Sequence, residues 1–148
     1  MKIGLDTNVF IAIMNKEPNH IACKKILDQI QTNQIHERTS PPFTAYLSTL
    51  VVAEILVGLY KKKELTQIHE FLNSIKLYFQ IIPLSLEIAN DAAQLRGEFN
   101  IKLPDAIISM SYHQAKIDYF ITNDIELNRK LSFKVIKPEE FVLQNIQK

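Results

Sequence analysis

MKIGLDTNVF, residues 1–10, is a short apolar run that stops abruptly at Asp6. YFITNDIEL, residues 119–127, has the same form and reaches Asp124. KIGL (2–5) and YFIT (119–122) are predicted to be strands, and the polar residues that follow them favour turns and helix N-caps. The two stretches therefore raise the question of whether two strands of one sheet end at acidic residues.

The rest of the chain alternates between short β-rich runs and helical patterns. Further strands are predicted at AYLS (45–48), YFQIIPL (78–84) and KVIKP (134–138). Helices are predicted at 9–15, 20–31, 50–60, 65–75, 87–99, 104–116 and 124–131, and the polar stretch 32–44 with Pro41 and Pro42 is predicted to be a loop. This alternation predicts an α/β fold with a five-stranded parallel sheet covered on both faces.

Size and composition indicate one domain and exclude several functional classes. The chain has 148 residues, of which 47% are apolar, so residues 1–148 are expected to form one domain. With only three glycines, the sequence contains neither a dinucleotide-binding loop nor a phosphate-binding loop. The four histidines and the single cysteine are not spaced as zinc ligands, and the GxSxG motif of esterases does not occur. No membrane span and no secretory leader are apparent, so a cytoplasmic location is expected.

Glu54 is the carboxylate whose position is hardest to explain as structural. It is the only charge in residues 50–60, LVVAEILVGLY, which are apolar almost all round. Burying an unpaired charge is costly, so Glu54 is expected to face either a salt-bridge partner from elsewhere in the chain or a metal ion.

Three aspartates are individually compatible with structural roles. Asp6 and Asp124 can cap helices, and Asp105, which follows Pro104, can interact favourably with a helix dipole. In a parallel sheet, however, Asp6 and Asp124 follow the carboxyl ends of strands, and Asp105 begins the helix that leads into the strand at 119–122. All four acids can therefore converge at one edge, where an all-oxygen ligand set would suit Mg²⁺ or Mn²⁺.

At this point the motifs resemble a known family, the PIN-domain ribonucleases, and most closely the VapC-like toxins of bacterial toxin–antitoxin modules. The resemblance covers nearly the whole chain. It rests on LDTNVFIA, STLVVAEILVG, LPDAIISMS and ITNDIEL, in that order. Two departures are the long segment 31–44 and the replacement of a glycine that often precedes the fourth strand by Lys116-Ile117-Asp118.

The resemblance implies a PIN-like three-layer α/β/α fold and a metal-dependent endoribonuclease that leaves 5′-phosphate and 3′-hydroxyl ends. It carries the catalytic and metal-binding acids onto Asp6, Glu54, Asp105 and Asp124. Asn8 and Thr122 would be supporting or water-holding groups beside them. It also implies Mg²⁺ or Mn²⁺ as cofactor, RNA as substrate, a small antitoxin as partner and a homodimer.

Two other functions remain as alternatives. A receiver-like phosphoacceptor would share the sheet and the acidic pocket, but it should show adjacent acids after the first strand, where this chain has Asp6-Thr7. A catalytically inactive PIN-like adaptor would be expected to lack one or more of the four acids, and all four are present. The sequence does not indicate which RNA would be cut, or whether one or two metal ions would bind.

Overall fold

A five-stranded parallel sheet forms the centre of the protein. The structure, a computed structural model, describes residues 1–35, 43–124 and 131–147. The strands are β1 (Lys2–Leu5), β2 (Thr44–Ser48), β3 (Gln80–Ile82), β4 (Tyr119–Ile121) and β5 (Lys134–Ile136). They lie in the order β3-β2-β1-β4-β5, and every neighbouring pair is parallel.

Seven helices occur in the described residues. They are α1 (Thr7–Met14), α2 (His20–Ile35), α3 (Thr49–Lys61), α4 (Leu65–Tyr78), α5 (Leu86–Glu98), α6 (Leu103–Ala115) and α7 (Pro138–Asn145). Ser48 caps α3 by accepting a hydrogen bond from the N–H of Leu50, and Ser85 caps α5 through the N–H of Ile88. The structure confirms the predicted α/β class and the five parallel strands.

The strand order implies that helices cover both faces of the sheet. The chain moves from β1 to β2 to β3 in one direction and then crosses back to β4 on the other side of β1. Because parallel crossovers are right-handed, α1 to α4 cover one face, and α5 and α6 cover the opposite face. Contacts between α2 and α7 and between α5 and α6 agree with this arrangement. The direction of winding reverses between β1 and β4, where α/β proteins commonly bind ligands.

Several predicted boundaries were wrong for identifiable reasons. α1 begins at Thr7 rather than residue 9, because Asp6 caps it. β3 is shorter than 78–84, because α4 extends to Tyr78 and Pro83 has no N–H to donate to a neighbouring strand. β5 ends at Ile136 and Pro138 begins α7, a helix that the sequence analysis did not predict.

The predicted loop at 32–44 was also only partly correct. Residues 32–35 belong to α2 and Thr44 belongs to β2, whereas residues 36–42 lie outside the described part of the chain. The predicted helix at 124–131 falls on residues 125–130, which are likewise not described. None of the described helices is long and apolar enough to cross a membrane.

Candidate metal centre at the carboxyl edge of the sheet

Asp6 lies at the junction of β1 and α1 and is almost completely buried. Only 8% of the residue is exposed. Its Oδ1 accepts a hydrogen bond of 2.7 Å from the N–H of Thr7, which makes Asp6 the N-cap of α1. Its Oδ2 accepts a 2.6 Å bond from the Thr122 hydroxyl and a 3.3 Å bond from the Asn8 amide. The helix-capping and site-forming interpretations of Asp6 are therefore compatible.

Thr122 and Asn8 form a hydrogen-bonded frame beside Asp6. The Thr122 hydroxyl donates to Asp6 and accepts 3.0 Å hydrogen bonds from the Asn8 amide and from the N–H of Asp124. The Asn8 side-chain oxygen accepts a 3.2 Å bond from the N–H of Asn123. A hydroxyl has one proton and two lone pairs, so protein atoms use the full bonding capacity of Thr122. Its position is that of a support for Asp6 rather than of a water-holding group.

Glu54 reaches the same edge from α3. Its half-buried side chain accepts a 2.8 Å hydrogen bond at Oε1 from the hydroxyl of Thr7. Thr7 is itself buried and lies next to Asp6 in the chain. Glu54 was expected to face a salt-bridge partner or a metal ion, and the hydrogen-bond partner that the structure gives it is instead a neutral hydroxyl at the start of α1.

The two remaining acids lie on α6 and after β4. Asp105 lies in the first turn of α6 and is half-buried, and Asp124 follows β4 and is exposed. Thr122 fixes the backbone of Asp124 through its N–H, which ties Asp124 to the frame around Asp6. Lys102 immediately precedes α6, and its positive charge partly offsets the effects that raise the pKa of Asp105.

Electrostatic interactions link the four acids in pairs. Burial raises the pKa of Asp6 from 3.8 to about 6, and the charges of Asp105 and Glu54 contribute to the increase against the hydrogen bonds from Thr122 and Thr7. Burial also raises the pKa of Asp105, with a further contribution from the charge of Asp124. Each acid is therefore within electrostatic range of at least one other member of the predicted set.

The chemistry of this donor set fits a hard divalent cation. It consists of carboxylates supported by hydroxyl and amide groups, and the Oδ1 of Asp6 keeps one lone pair beyond its bond to Thr7. No three His, Cys, Asp or Glu side chains within residues 1–35, 43–124 and 131–147 are grouped closely enough to hold a metal ion.

Comparison with known proteins identifies the family. The sequence model of the PIN domain matches residues 3–130. This chain belongs to the PIN domain family. Among curated proteins, none matches the sequence.

Solved structures with the same fold include complexes of toxin–antitoxin systems. VapBC2 from Rickettsia felis, bound to a DNA fragment from its promoter, has 22% identity and a TM-score of 0.67, with 93% of this PIN domain and 98% of that chain covered. A toxin–antitoxin complex from Klebsiella pneumoniae has 24% identity and a TM-score of 0.67, with 92% and 97% covered. FitAcB from Neisseria gonorrhoeae has 24% identity and a TM-score of 0.68, with 93% and 98% covered.

Some residues of the site in this PIN domain were not among the predicted site residues. Thr7 binds Glu54, and Asn123 links Asn8 to Asn19, whose amide donates a 2.7 Å hydrogen bond to the Asn123 side-chain oxygen. Thr7 and Asn123 lie in the same two stretches that carry Asp6 and Asp124, so their positions were available signals. Asn19 follows Pro18 in the connection between α1 and α2. It lies outside both stretches, so nothing in the sequence around it indicates that it is part of the site.

Proposed function

We propose that this PIN domain is a metal-dependent endoribonuclease that hydrolyses RNA phosphodiester bonds. The single observation behind the proposal is that Thr7 binds both Asp6 and Glu54, so that two carboxylates lie together at the carboxyl edge of a PIN fold. Asp6, Glu54, Asp105 and Asp124 would hold Mg²⁺ or Mn²⁺. When bound, such an ion activates water and stabilises the negative charge that develops on the phosphodiester.

The chain's own residues would orient the site and receive the substrate. Thr122 and Thr7 fix Asp6, and Thr7 also fixes Glu54, so the two carboxylates are held by one short segment. The exposed Lys102 lies beside Asp105, where its ammonium group can contact a phosphate. In the overall reaction the oxygen of water joins phosphorus and the bond from phosphorus to the 3′ oxygen breaks. That oxygen takes up a proton, leaving a 3′-hydroxyl and a 5′-phosphate.

Metal dependence is the most direct test. Purified protein should cleave single-stranded RNA in the presence of Mn²⁺ or Mg²⁺, should lose this activity in EDTA and should regain it when metal is restored. The matched control is Asp6→Asn protein purified in parallel, because a contaminating nuclease would be equally active in both preparations. Undiminished cleavage by the wild-type protein in EDTA would contradict the proposal.

We also propose that the nuclease is the toxin of a toxin–antitoxin pair, silenced by a small antitoxin through the partner's C-terminal segment. The support is the similarity of fold to the Rickettsia, Klebsiella and Neisseria complexes. An acidic site with a lysine at its rim can also accept an arginine or a carboxylate of an inhibitor in place of metal and phosphate.

Expression in bacteria tests the toxin proposal separately from the nuclease proposal. Wild-type protein expressed alone should arrest growth, and co-expression of the product of the upstream gene should relieve the arrest. Asp6→Asn should be harmless under the same promoter. If the wild-type protein cleaves RNA in vitro but is harmless alone at equal abundance, the toxin role is wrong and the ribonuclease role stands.

A homodimer is the remaining proposal about assembly. Large apolar residues are exposed on α3 and α4, on β3 and the segment after it, and at the start of α5: Val57, Tyr60, Leu65, Leu77, Ile81, Leu84 and Leu86. β3 is also an edge strand of the sheet. Exposed apolar groups and the edge strand of a sheet are features that a second subunit can bury.

A further inference from the structure

The hydroxyl of Tyr112 occupies an unusual position between two neighbouring strands. Tyr112 lies on α6 and is completely buried. Its hydroxyl donates a hydrogen bond to the carbonyl of Leu5, the last residue of β1, and accepts a 3.4 Å bond from the N–H of Ser48, the last residue of β2. One side chain thus bridges the carboxyl ends of both strands.

This bridge replaces a backbone hydrogen bond that the strand register would otherwise predict. β1 and β2 are parallel, and the N–H of Thr44 donates to the carbonyl of Met1 at 2.8 Å. Continued along both strands, the same offset pairs the N–H of Ser48 with the carbonyl of Leu5. These are the two groups that Tyr112 contacts. The hydroxyl is therefore inserted into the β1–β2 ladder at its last position.

The residues next to this insertion are those of the candidate metal centre. Asp6 directly follows Leu5, and Ser48 is the N-cap of α3, the helix that carries Glu54. Ser111, the neighbour of Tyr112 on α6, has its hydroxyl 3.4 Å from the Ser48 hydroxyl. α6 also carries Asp105 at its other end. A single helix therefore supplies one acid and contacts the segments that present two others.

Gly4 provides the space that this arrangement needs. A Cβ atom on Gly4 would lie 2.9 Å from both Cδ atoms of the Tyr112 ring and 2.8 Å from Cδ1 of Ile117. Such distances are shorter than a carbon–carbon contact allows, so the ring can lie over β1 only because residue 4 has no side chain. Gly4 and the hydroxyl together fix the position of Tyr112 over the end of β1.

We propose that Tyr112 is a positioning residue that sets the separation of the β1 and β2 ends, and thereby the separation of Asp6 and Glu54 required to bind a divalent cation. The proposal rests on the metal-dependent function proposed above. Tyr112 acts through the backbone of Leu5 and Ser48 and does not itself contact the ion or the RNA.

Two substitutions test this role from opposite sides. Tyr112→Phe removes the hydroxyl and keeps the ring over Gly4, whereas Gly4→Ala keeps the hydroxyl and pushes the ring away from β1. Both should weaken Mn²⁺ binding, measured by isothermal titration calorimetry, by about ten-fold, the lower end of the effect of residues that orient metal ligands. Tyr119→Phe is the matched control, because Tyr119 begins β4 at the amino edge of the sheet, away from the acids.

Four further measurements separate positioning from folding and from the proposed metal-dependent function. Circular dichroism confirms that each variant is folded at the titration temperature, and thermal melts in EDTA report stability. Hydrogen exchange of the Ser48 amide should become faster in Tyr112→Phe, because its acceptor is removed. RNA cleavage by the same preparations should fall in parallel with Mn²⁺ affinity.

The outcomes are distinguishable. If folded Tyr112→Phe and Gly4→Ala bind Mn²⁺ as tightly as the wild-type protein, the positioning role is wrong, even if their melting temperatures fall, and the ribonuclease proposal is unaffected. If the wild-type protein itself binds no Mn²⁺, the metal-dependent function is wrong and the positioning role is wrong with it. Weakened binding in both variants, with Tyr119→Phe unchanged, supports the proposal.

Discussion

At the scale of single residues, Asp6 must cap a helix and also remain charged in a nearly closed environment. Its pKa of about 6 lies above the ordinary value of 3.8, so the folded protein holds the carboxylate at a cost of about 3 kcal/mol at neutral pH. A metal ion would offset this cost, because its charge favours the ionised form. The stability of the metal-free protein should therefore depend on the charge of Asp6.

The first prediction concerns Asp6→Asn in EDTA. Between pH 7 and pH 5 the folded wild-type protein takes up a proton at Asp6 that the unfolded chain does not, so lowering the pH should raise stability by about 1 kcal/mol, or roughly 2–4 °C in melting temperature. Asp6→Asn should lose this gain and should melt no lower than the wild-type protein at pH 7. It should also be unable to cleave RNA.

Asp105→Asn should likewise abolish cleavage without lowering the melting temperature. Asp118→Asn is the matched control for both variants, because Asp118 accepts a 2.7 Å hydrogen bond from the N–H of Lys2 at the amino edge of the sheet. It should cleave RNA normally. Unfolding of the two site variants, or cleavage by either at the wild-type rate, would show that these acids are not the catalytic set.

The four acids of the candidate site remain a prediction, whereas some of the contacts that support them could not be predicted from the sequence. Asp6 and Asp124 follow strand ends and Glu54 is a lone charge in an apolar helix, so topology and the family resemblance together led to their prediction. The hydrogen bond from Thr7 to Glu54 joins residues 47 positions apart, and that from Asn19 to Asn123 spans 104. Such contacts depend on the final packing of α1, α3 and the end of β4, which spacing along the chain does not encode.

At the level of helices and strands, some boundaries were predicted correctly where a capping residue or a proline marks them. Others were missed where tertiary packing determines where an element ends. Pro104 marks the start of α6, and Ser48 marks the start of α3. α7 begins at Pro138, the last residue of the run KVIKP that was predicted to be a strand, and no helix was predicted after it. α7 packs against α2 and buries Phe141 and Val142, and this packing is a tertiary feature.

Lys116 is the C-cap of α6 and lies in the segment 116–118, where related proteins often have a glycine before the fourth strand. Lys116 adopts φ 54° and ψ 50°, the left-handed conformation in which helices commonly end at glycine. A side chain with a Cβ is strained there, so Lys116→Gly should stabilise the protein by about 0.5–1 kcal/mol despite the greater entropy of glycine in the unfolded chain. Urea denaturation should show a higher midpoint with an unchanged slope.

Two controls make the test specific to conformation. Lys116→Ala removes the same charge and side chain but retains Cβ, so it should give no comparable gain. Gly97→Ala changes a glycine in α5 that has open space around it and no positive φ, and it should stabilise the protein through helix propensity alone. A lower urea midpoint in Lys116→Gly than in Lys116→Ala would contradict the interpretation.

At the scale of the whole molecule, the last prediction concerns the proposed dimer. Leu86 begins α5 and is 88% exposed, next to the segment that follows the edge strand β3. If a second subunit covers this surface, Leu86→Lys would place a charge in an apolar interface, where it is costly to desolvate. Light scattering should give about twice 17.1 kDa for the wild-type protein and a value near 17.1 kDa for Leu86→Lys.

Leu143→Lys is the matched control, since Leu143 is 66% exposed on α7, which packs against α2 instead of β3. This variant should remain dimeric. A wild-type protein that is monomeric at micromolar concentration, or equal dissociation by both variants, would contradict an interface at β3, whereas a monomeric Leu86→Lys that still cleaves RNA would show that each subunit carries a complete site.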